Sequence, residues 1–376
     1  AASGRSEPYL TKLSALGEEL WSGAVPLDGE HGAFEALAVD PTDGGLLVGG
    51  FMASSAADEF TFKSAGNTPD GTAVVLKFAA ASLAGAAAPA RADAVWERSW
   101  PKHVSVKALR AVPAAATGGA GAVALLWKEE EPSASLVRLG GEGETLWREA
   151  FAEQHEGTDV AVAADGSGFA ISGHGGPPGV QGRVTVVAAD GASSTTATVT
   201  LGGDPELIFT ECWGIAAAPA GGFVLACGAG IEECGSGLSA SQLSDCRAGR
   251  GDPRAGATPR AAGVWRSLVT KVDATDGALV YQRVDSWTDS SDPDFEASEW
   301  SSAAEFVVPA ADGGGYFVLT DESDGVGLIR LGGPKKKNPN KFKKLCKKKK
   351  SKKACKKTKS GGKKVCKVKK GKCVPK

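Results

Sequence analysis

Residues 135–147, SLVRLGGEGETLW, and residues 157–175, GTDVAVAADGSGFAISGHG, decide the fold. Leu136 to Leu139 alternates as a strand does, Gly140 to Gly143 supplies a flexible turn, and Glu144 to Phe151 makes a second strand carrying Trp147. Two more strands follow, Asp159 to Ala164 and Phe169 to Ser172, joined by Asp165-Gly166-Ser167-Gly168, a connection that tolerates positive φ. Four short antiparallel strands per unit is the pattern of a propeller blade.

The unit recurs in both directions. Tyr9 to Trp21, YLTKLSALGEELW, repeats its first two strands, and Ala36 to Val39, a Pro41-Thr42-Asp43-Gly44-Gly45 turn and Leu46 to Gly50 complete that copy. A second copy opens at Ala73 and reaches Trp96 across an Ala-rich insertion, residues 84–92, expected as an exposed loop. It ends with Val106 to Val112 and Ala122 to Trp127. The fourth copy runs from Arg183 to Gly228, and the fifth opens at Ser267 after a Cys-, Gly- and Arg-rich insertion, residues 230–263. Gly327 to Leu331, GLIRL, then repeats the first strand alone, and is expected to close the ring by pairing the last blade with the first. The chain therefore reads as an all-β propeller of four-stranded blades over residues 1–333, five blades or alternatively six, with a basic extension over residues 334–376. Repetition also explains a length of 376 residues, which exceeds the size at which a single core stops growing.

Charge is divided between these parts. Of 43 Lys and Arg, 22 lie after Pro334, all of them Lys and with no acidic residue among them, which leaves 21 basic residues against 44 acidic ones in the remainder. Lys in bulk acts as a point charge, whereas base recognition favours the bidentate guanidinium of Arg. The extension, densest at Lys347, Lys348, Lys349 and Lys350, thus suits an acidic protein surface or an anionic polysaccharide, and nucleic acid is disfavoured. No apolar run approaches the roughly 18–20 residues that span a bilayer.

Eight Cys fall into two local groups. Cys212 and Cys227 flank Pro219-Ala220-Gly221-Gly222 at matching distances and are expected to bond across a hairpin, with Cys234 bonded to Cys246 inside the insertion. Cys346, Cys355, Cys366 and Cys373 are placed to staple two small hairpins, of which KKVCKVKKGKCV (residues 363–374) bends at Lys-Gly; their pairing is open. Such clustering fits disulfides in an oxidising compartment, and the Ala-Ala-Ser-Gly start fits a processed secretory protein, so an extracellular or cell-surface location is expected.

Candidate sites are few. Asp285, Asp289, Asp292 and Asp294 crowd the segment DSWTDSSDPDFEASE (residues 285–299), a calcium candidate that lacks the spaced loop pattern and reads more readily as an acidic docking surface for Lys or as a solvated loop; no other cofactor is implied. Trp287 and Trp300 are candidates for stacking on sugar rings, while Trp21, Trp96, Trp147 and Trp265 are expected to fill the space between blades. His31, His103, His155 and His174 show no metal-ligand spacing, and neither a nucleophile elbow nor a phosphate-binding loop is present. His174, flanked by Gly173 and Gly175, is the His of most interest.

The pattern LVRLGGEGETLW, then an acidic-aliphatic strand, Asp-Gly and an aliphatic strand ending in Gly, resembles the repeats of secreted bacterial and algal propeller proteins over residues 9 to 331. The Lys- and Cys-rich end is similar to those of secreted proteins from marine algae. The resemblance implies a fold and no particular ligand, since propellers host enzymes, adhesins and scaffolds alike. The expected function is a structural or adhesive component of an extracellular coat, wall or filament; the alternatives are a carbohydrate-binding propeller and a secreted propeller hydrolase or lyase.

Overall fold

A computed structural model describes residues 6–28, 31–53, 71–116, 118–128, 133–154, 156–175, 180–201, 208–231, 241, 264–285, 302–322, 325–332, 359–360, 363–364, 366–369 and 372–375. Strands β1 (Tyr9–Leu13) and β2 (Glu19–Ala24) pair only with each other. Four antiparallel sheets of four strands follow, each in chain order. The first holds β3 (His31–Val39), β4 (Leu46–Ala53), β5 (Thr72–Phe78) and β6 (Ala94–Pro101). The second holds β7 (Ser105–Val112), β8 (Gly121–Trp127), β9 (Ala134–Gly140) and β10 (Thr145–Phe151). The third holds β11 (Glu156–Val162), β12 (Gly168–Gly175), β13 (Gln181–Ala188) and β14 (Ser194–Val199), and the fourth β15 (Phe209–Ala217), β16 (Phe223–Ile231), β17 (Val264–Val272) and β18 (Leu279–Asp285). A last sheet has three strands, β19 (Ser302–Pro309), β20 (Gly315–Glu322) and β21 (Gly325–Gly332).

The chain divides into two compact units, one formed by residues 1–309 and 317–329, the other by residues 310–316 and 330–376. In the second unit Arg330 bonds the carboxylate of Asp312, and two short hairpins occupy the basic extension: β22 (Lys359–Ser360) with β23 (Lys363–Lys364), and β24 (Cys366–Lys369) with β25 (Lys372–Pro375). The latter pairs Cys366 with Pro375 and Lys369 with Lys372, and the Lys-Gly bend expected between its strands lies outside the described residues. Among the described residues, no helix is long and apolar enough to cross a membrane.

In the first unit the sheets stack face on face. Leu47, Val75 and Trp96 of the first sheet share a core with Val106, Leu126 and Leu139 of the second; Leu125 and Leu136 of the second share one with Phe169 and Ile171 of the third; Ala170 and Val184 of the third share one with Ile215, Phe223 and Leu268 of the fourth. The first strands run beside one another, β3 along β7, β7 along β11, β11 along β15 and β15 along β19. This is the stacking of propeller blades. Within a sheet the fourth strand is the exposed one: in the second sheet β9 is buried at every position, whereas β10 is exposed at most.

The repeat seen in the sequence is out of phase with the sheets. SLVRLGGEGETLW forms β9 and β10, the outer half of one sheet, and GTDVAVAADGSGFAISGHG forms β11 and β12, the inner half of the next. The segment GLIRL lies in β21, the third strand of its own sheet, and among the described sheets neither β1 nor β2 pairs with it, so the expected closing pair is not found there.

Successive sheets are fastened by the Trp residues of the fourth strands. The Trp96 indole N–H of β6 donates to the Gly141 carbonyl in the β9–β10 turn (2.9 Å), and the Trp147 indole of β10 does the same to Ala189 in the β13–β14 turn (3.1 Å). Each ring lies on a glycine of positive φ, Gly143 (+79°) and Gly191 (+72°), where an added Cβ would stand 2.7 Å from ring carbon. At the next step the aromatic is absent and Ala197 of β14 approaches Gly277 instead. The Trp21 indole of β2 makes a similar bond to the Leu83 carbonyl (3.4 Å), just before the insertion expected to be an exposed loop. The insertion is largely exposed, as expected, with short 3-10 turns at Ser82–Ala84 and Arg91–Asp93, while Leu83 and Ala88 pack on the core that Leu10 and Trp21 share with Val48, Val74, Leu76 and Phe78.

Candidate functional site

Each of the first four inner strands carries a β-bulge at an equivalent place, and the extra residues are Glu35 in β3, Lys107 in β7, Thr158 in β11 and Trp213 in β15. A bulge leaves one residue without a cross-strand partner and re-aims its side chain. Glu35 accepts a short hydrogen bond from the Ser105 hydroxyl. The Lys107 amine is buried 5.0 Å from the centre of the Trp127 ring with no hydrogen-bond partner. Burial pushes its pKa down, and the carboxylates of Glu35 and Glu156 oppose that only in part. The Thr158 hydroxyl bonds the Cys212 carbonyl (2.7 Å) and so ties β11 to β15.

His174 sits on β12 beside this layer. Its Nε2 is 3.2 Å from the Glu156 carboxylate, its ring meets Trp213 edge-on at 5.3 Å, and its Nδ1 is buried without a partner. His103, at the entrance to β7, is held towards the neutral form by burial and by the Arg148 guanidinium.

Further along the same strands lies a cavity of about 490 Å³, lined by the C-terminal parts of β3, β7, β11, β15 and β19. Its rim is apolar, with Leu37, Val39 and Val308 exposed by 62%, 61% and 56%. Arg110 is the charged side chain of the lining; it donates to Asp159 (2.6 Å), whose carboxylate also receives the backbone N–H of Val160 (2.8 Å) and of Ile215 (3.1 Å). Five strands from five sheets converging on one space define the inner ring of a blade series. Its apolar rim suits contact with a partner, and its one cation is already paired with a carboxylate.

The disulfide joins Cys212 of β15 to Cys227 of β16 directly across the hairpin, with Cα atoms 4.0 Å apart and both residues fully buried. Asp285 ends β18, and Cys366 and Cys373 lie in β24 and β25. Asp289, Asp292, Asp294, Trp287, Trp300, Lys347 to Lys350, Cys234, Cys246, Cys346, Cys355 and His155 lie outside the described residues. Among the described residues, no three His, Cys, Asp or Glu side chains gather closely enough to hold a metal ion. The bulge layer had no local signature in the sequence, because a bulge is a property of register between two strands. The only trace is a polar or bulky residue interrupting an aliphatic inner strand, as in AFEALAV and VKALRAV.

No family model and no curated protein matches the chain. Among solved structures it is similar to the propeller of Dos1, at 11% identity and a TM-score of 0.42 over 86% of this chain and 73% of that one. It is similar also to Kuenenia stuttgartiensis hydrazine synthase, at 14% identity and a TM-score of 0.42 over 86% and 89% of the two chains. The WD40 domain of Neurospora crassa Pan2 is matched at 9% identity and a TM-score of 0.37, over 80% of this chain and 66% of that one. These likenesses are too shallow to transfer a ligand or an activity.

Proposed function

We propose that the protein is a secreted, non-enzymatic component of an extracellular assembly, in which the Lys-rich extension of one molecule docks on the acidic sheets of another or on an anionic matrix polymer. The observation that carries this reading is the charge division: 22 Lys without a single acidic residue after Pro334, and 44 acidic against 21 basic residues before it. Charges so segregated attract between molecules as well as within one, and many weak contacts per molecule build a network. The buried Cys212–Cys227 bond suits an oxidising compartment, and the apolar rim around Leu37, Val39 and Val308 offers a second contact surface.

The test is sedimentation velocity of the full chain and of a chain ending at Pro334. The full chain is expected to form large particles at low ionic strength that dissolve in about 0.5 M salt, where screening shortens to a few Å. The shortened chain is expected to stay monomeric. Monomers of the full chain at every ionic strength, with no binding to an anionic polysaccharide such as alginate, would remove the proposal.

A further inference from the structure

A second cavity, of about 290 Å³, lies in the first unit and is lined by Trp213, Glu305, Phe306, Leu319, Thr320, Asp321 and Val326. Its position follows from the bulge in β15. The extra residue there is Trp213, whose ring is set by its edge-on contact with His174. The next residue, Gly214, lets β15 approach β19 so closely that an added Cβ would stand 2.6 Å from the Glu305 carbonyl. The bulge thus places the Trp213 indole, Glu305 and Phe306 around one space, and β20 contributes Leu319, Thr320 and Asp321 to its lining.

The lining has two chemistries. Trp213, Phe306, Leu319 and Val326 are apolar, two of them aromatic, and Glu305 and Asp321 are carboxylates. A ligand that matches both has a flexible apolar stem and a compact cationic head. Lysine has that form: its four methylenes lie along apolar surface while the ammonium seeks carboxylates and aromatic faces. This chain supplies such side chains in quantity, since its extension contains 22 Lys and no Arg.

We propose that the Trp213 cavity is a lysine-side-chain pocket, filled in the assembly by a lysine from the C-terminal extension of a second copy. The identity of the occupant rests on the assembly reading above; the pocket's preference for an alkylammonium group does not. Binding inserts the stem between Trp213 and Phe306 and places the ammonium at Glu305 and Asp321. It needs no bond-making, only exchange of the ammonium's water for carboxylate oxygens and ring faces.

The test uses the full chain and a fluorescein-labelled peptide with the sequence of residues 347–358, Cys355 replaced by Ser, followed by anisotropy. The variant Glu305→Gln/Asp321→Asn is expected to bind the peptide about tenfold or more weakly, as loss of a charge-assisted contact in a partly desolvated site requires. The control Glu149→Gln/Glu153→Gln removes the same charge from exposed positions elsewhere and is expected to change binding less than about twofold. n-Butylammonium chloride is expected to compete, and sodium chloride at equal ionic strength to compete less. Matching melting temperatures for the two variants show that both are folded; if the pocket variant melts early, competition by n-butylammonium on the unaltered chain decides alone. Equal losses in both variants, or equal competition by the two salts, overturn the pocket while leaving charge-driven assembly standing. If the unaltered chain fails to bind the peptide yet n-butylammonium binds by calorimetry, the pocket survives with another occupant. If neither binds, both readings fall.

Discussion

Lys107 carries its amine into a place where the charged form is disfavoured: no hydrogen-bond acceptor meets it, and one side is covered by Trp127. Its folded pKa lies below the ordinary lysine value, so the unfolded chain binds the proton more tightly. The cost to stability is therefore full below the folded pKa, shrinks as pH rises through it, and is gone above the unfolded value near 10.4. Replacing Lys107 by Met keeps the stem and removes the amine. That variant is expected to be more stable than the parent by about 1 kcal/mol at neutral pH, with the advantage fading towards pH ~10. Urea titrations of both proteins at several pH values check this, and a less stable variant at pH 7 would mean that the amine is satisfied. Nothing local in VSVKALRAV announces such a lysine, since a strand with one side chain turned inward by a bulge looks the same as one with it turned outward.

At the scale of the element, the Trp-to-turn contact links one sheet to the next, and its parts can be separated by mutation. Gly143 and Gly17 both have positive φ, +79° and +83°, but only Gly143 lies under an indole. Gly17→Ala is expected to cost roughly 1 kcal/mol of backbone strain. Gly143→Ala adds the collision with Trp96 and is expected to cost about 2–3 kcal/mol. In a Trp96→Ala background, itself about 3–5 kcal/mol less stable, the excess at Gly143 should vanish. A double-mutant cycle by denaturant unfolding measures the difference, and equal costs at the two glycines would show that the contact is not tight. The hairpin β15–β16 offers an independent check: removing its disulfide by Cys212→Ala/Cys227→Ala is expected to cost about 3 kcal/mol, read as an earlier urea midpoint. The hairpins themselves were legible, because Asp-Gly turns and aliphatic runs mark them locally. Sheet boundaries were not, because the strongest signature, Leu-Val-Arg-Leu to Leu-Trp, belongs to the outer half of a sheet and pulls the eye to the wrong starting point.

For the molecule as a whole, composition pointed to the charge division and periodicity to the stacked sheets, while the two cavities were invisible in one dimension. The 490 Å³ space draws single segments from five sheets, and the Trp213 pocket joins residues more than a hundred positions apart. Trp213 carries no mark of a site in the sequence, where it reads as one residue of a strand, away from the Leu-Trp pattern that flags Trp21 and Trp147. The fastening between sheets has a direction, the fourth strands β6 and β10 each holding the turn of the sheet that follows. Tyr281 of β18 stands where Trp147 stands in β10 and is 43% exposed; among the described residues the last sheet has three strands and no turn after the third. A head-to-tail bond of this sort does not set its own number of repeats. An indole on one sheet and a glycine turn on the next complete the contact between two neighbours, so the holds at Trp96 and Trp147 are each local and independent of the rest of the series.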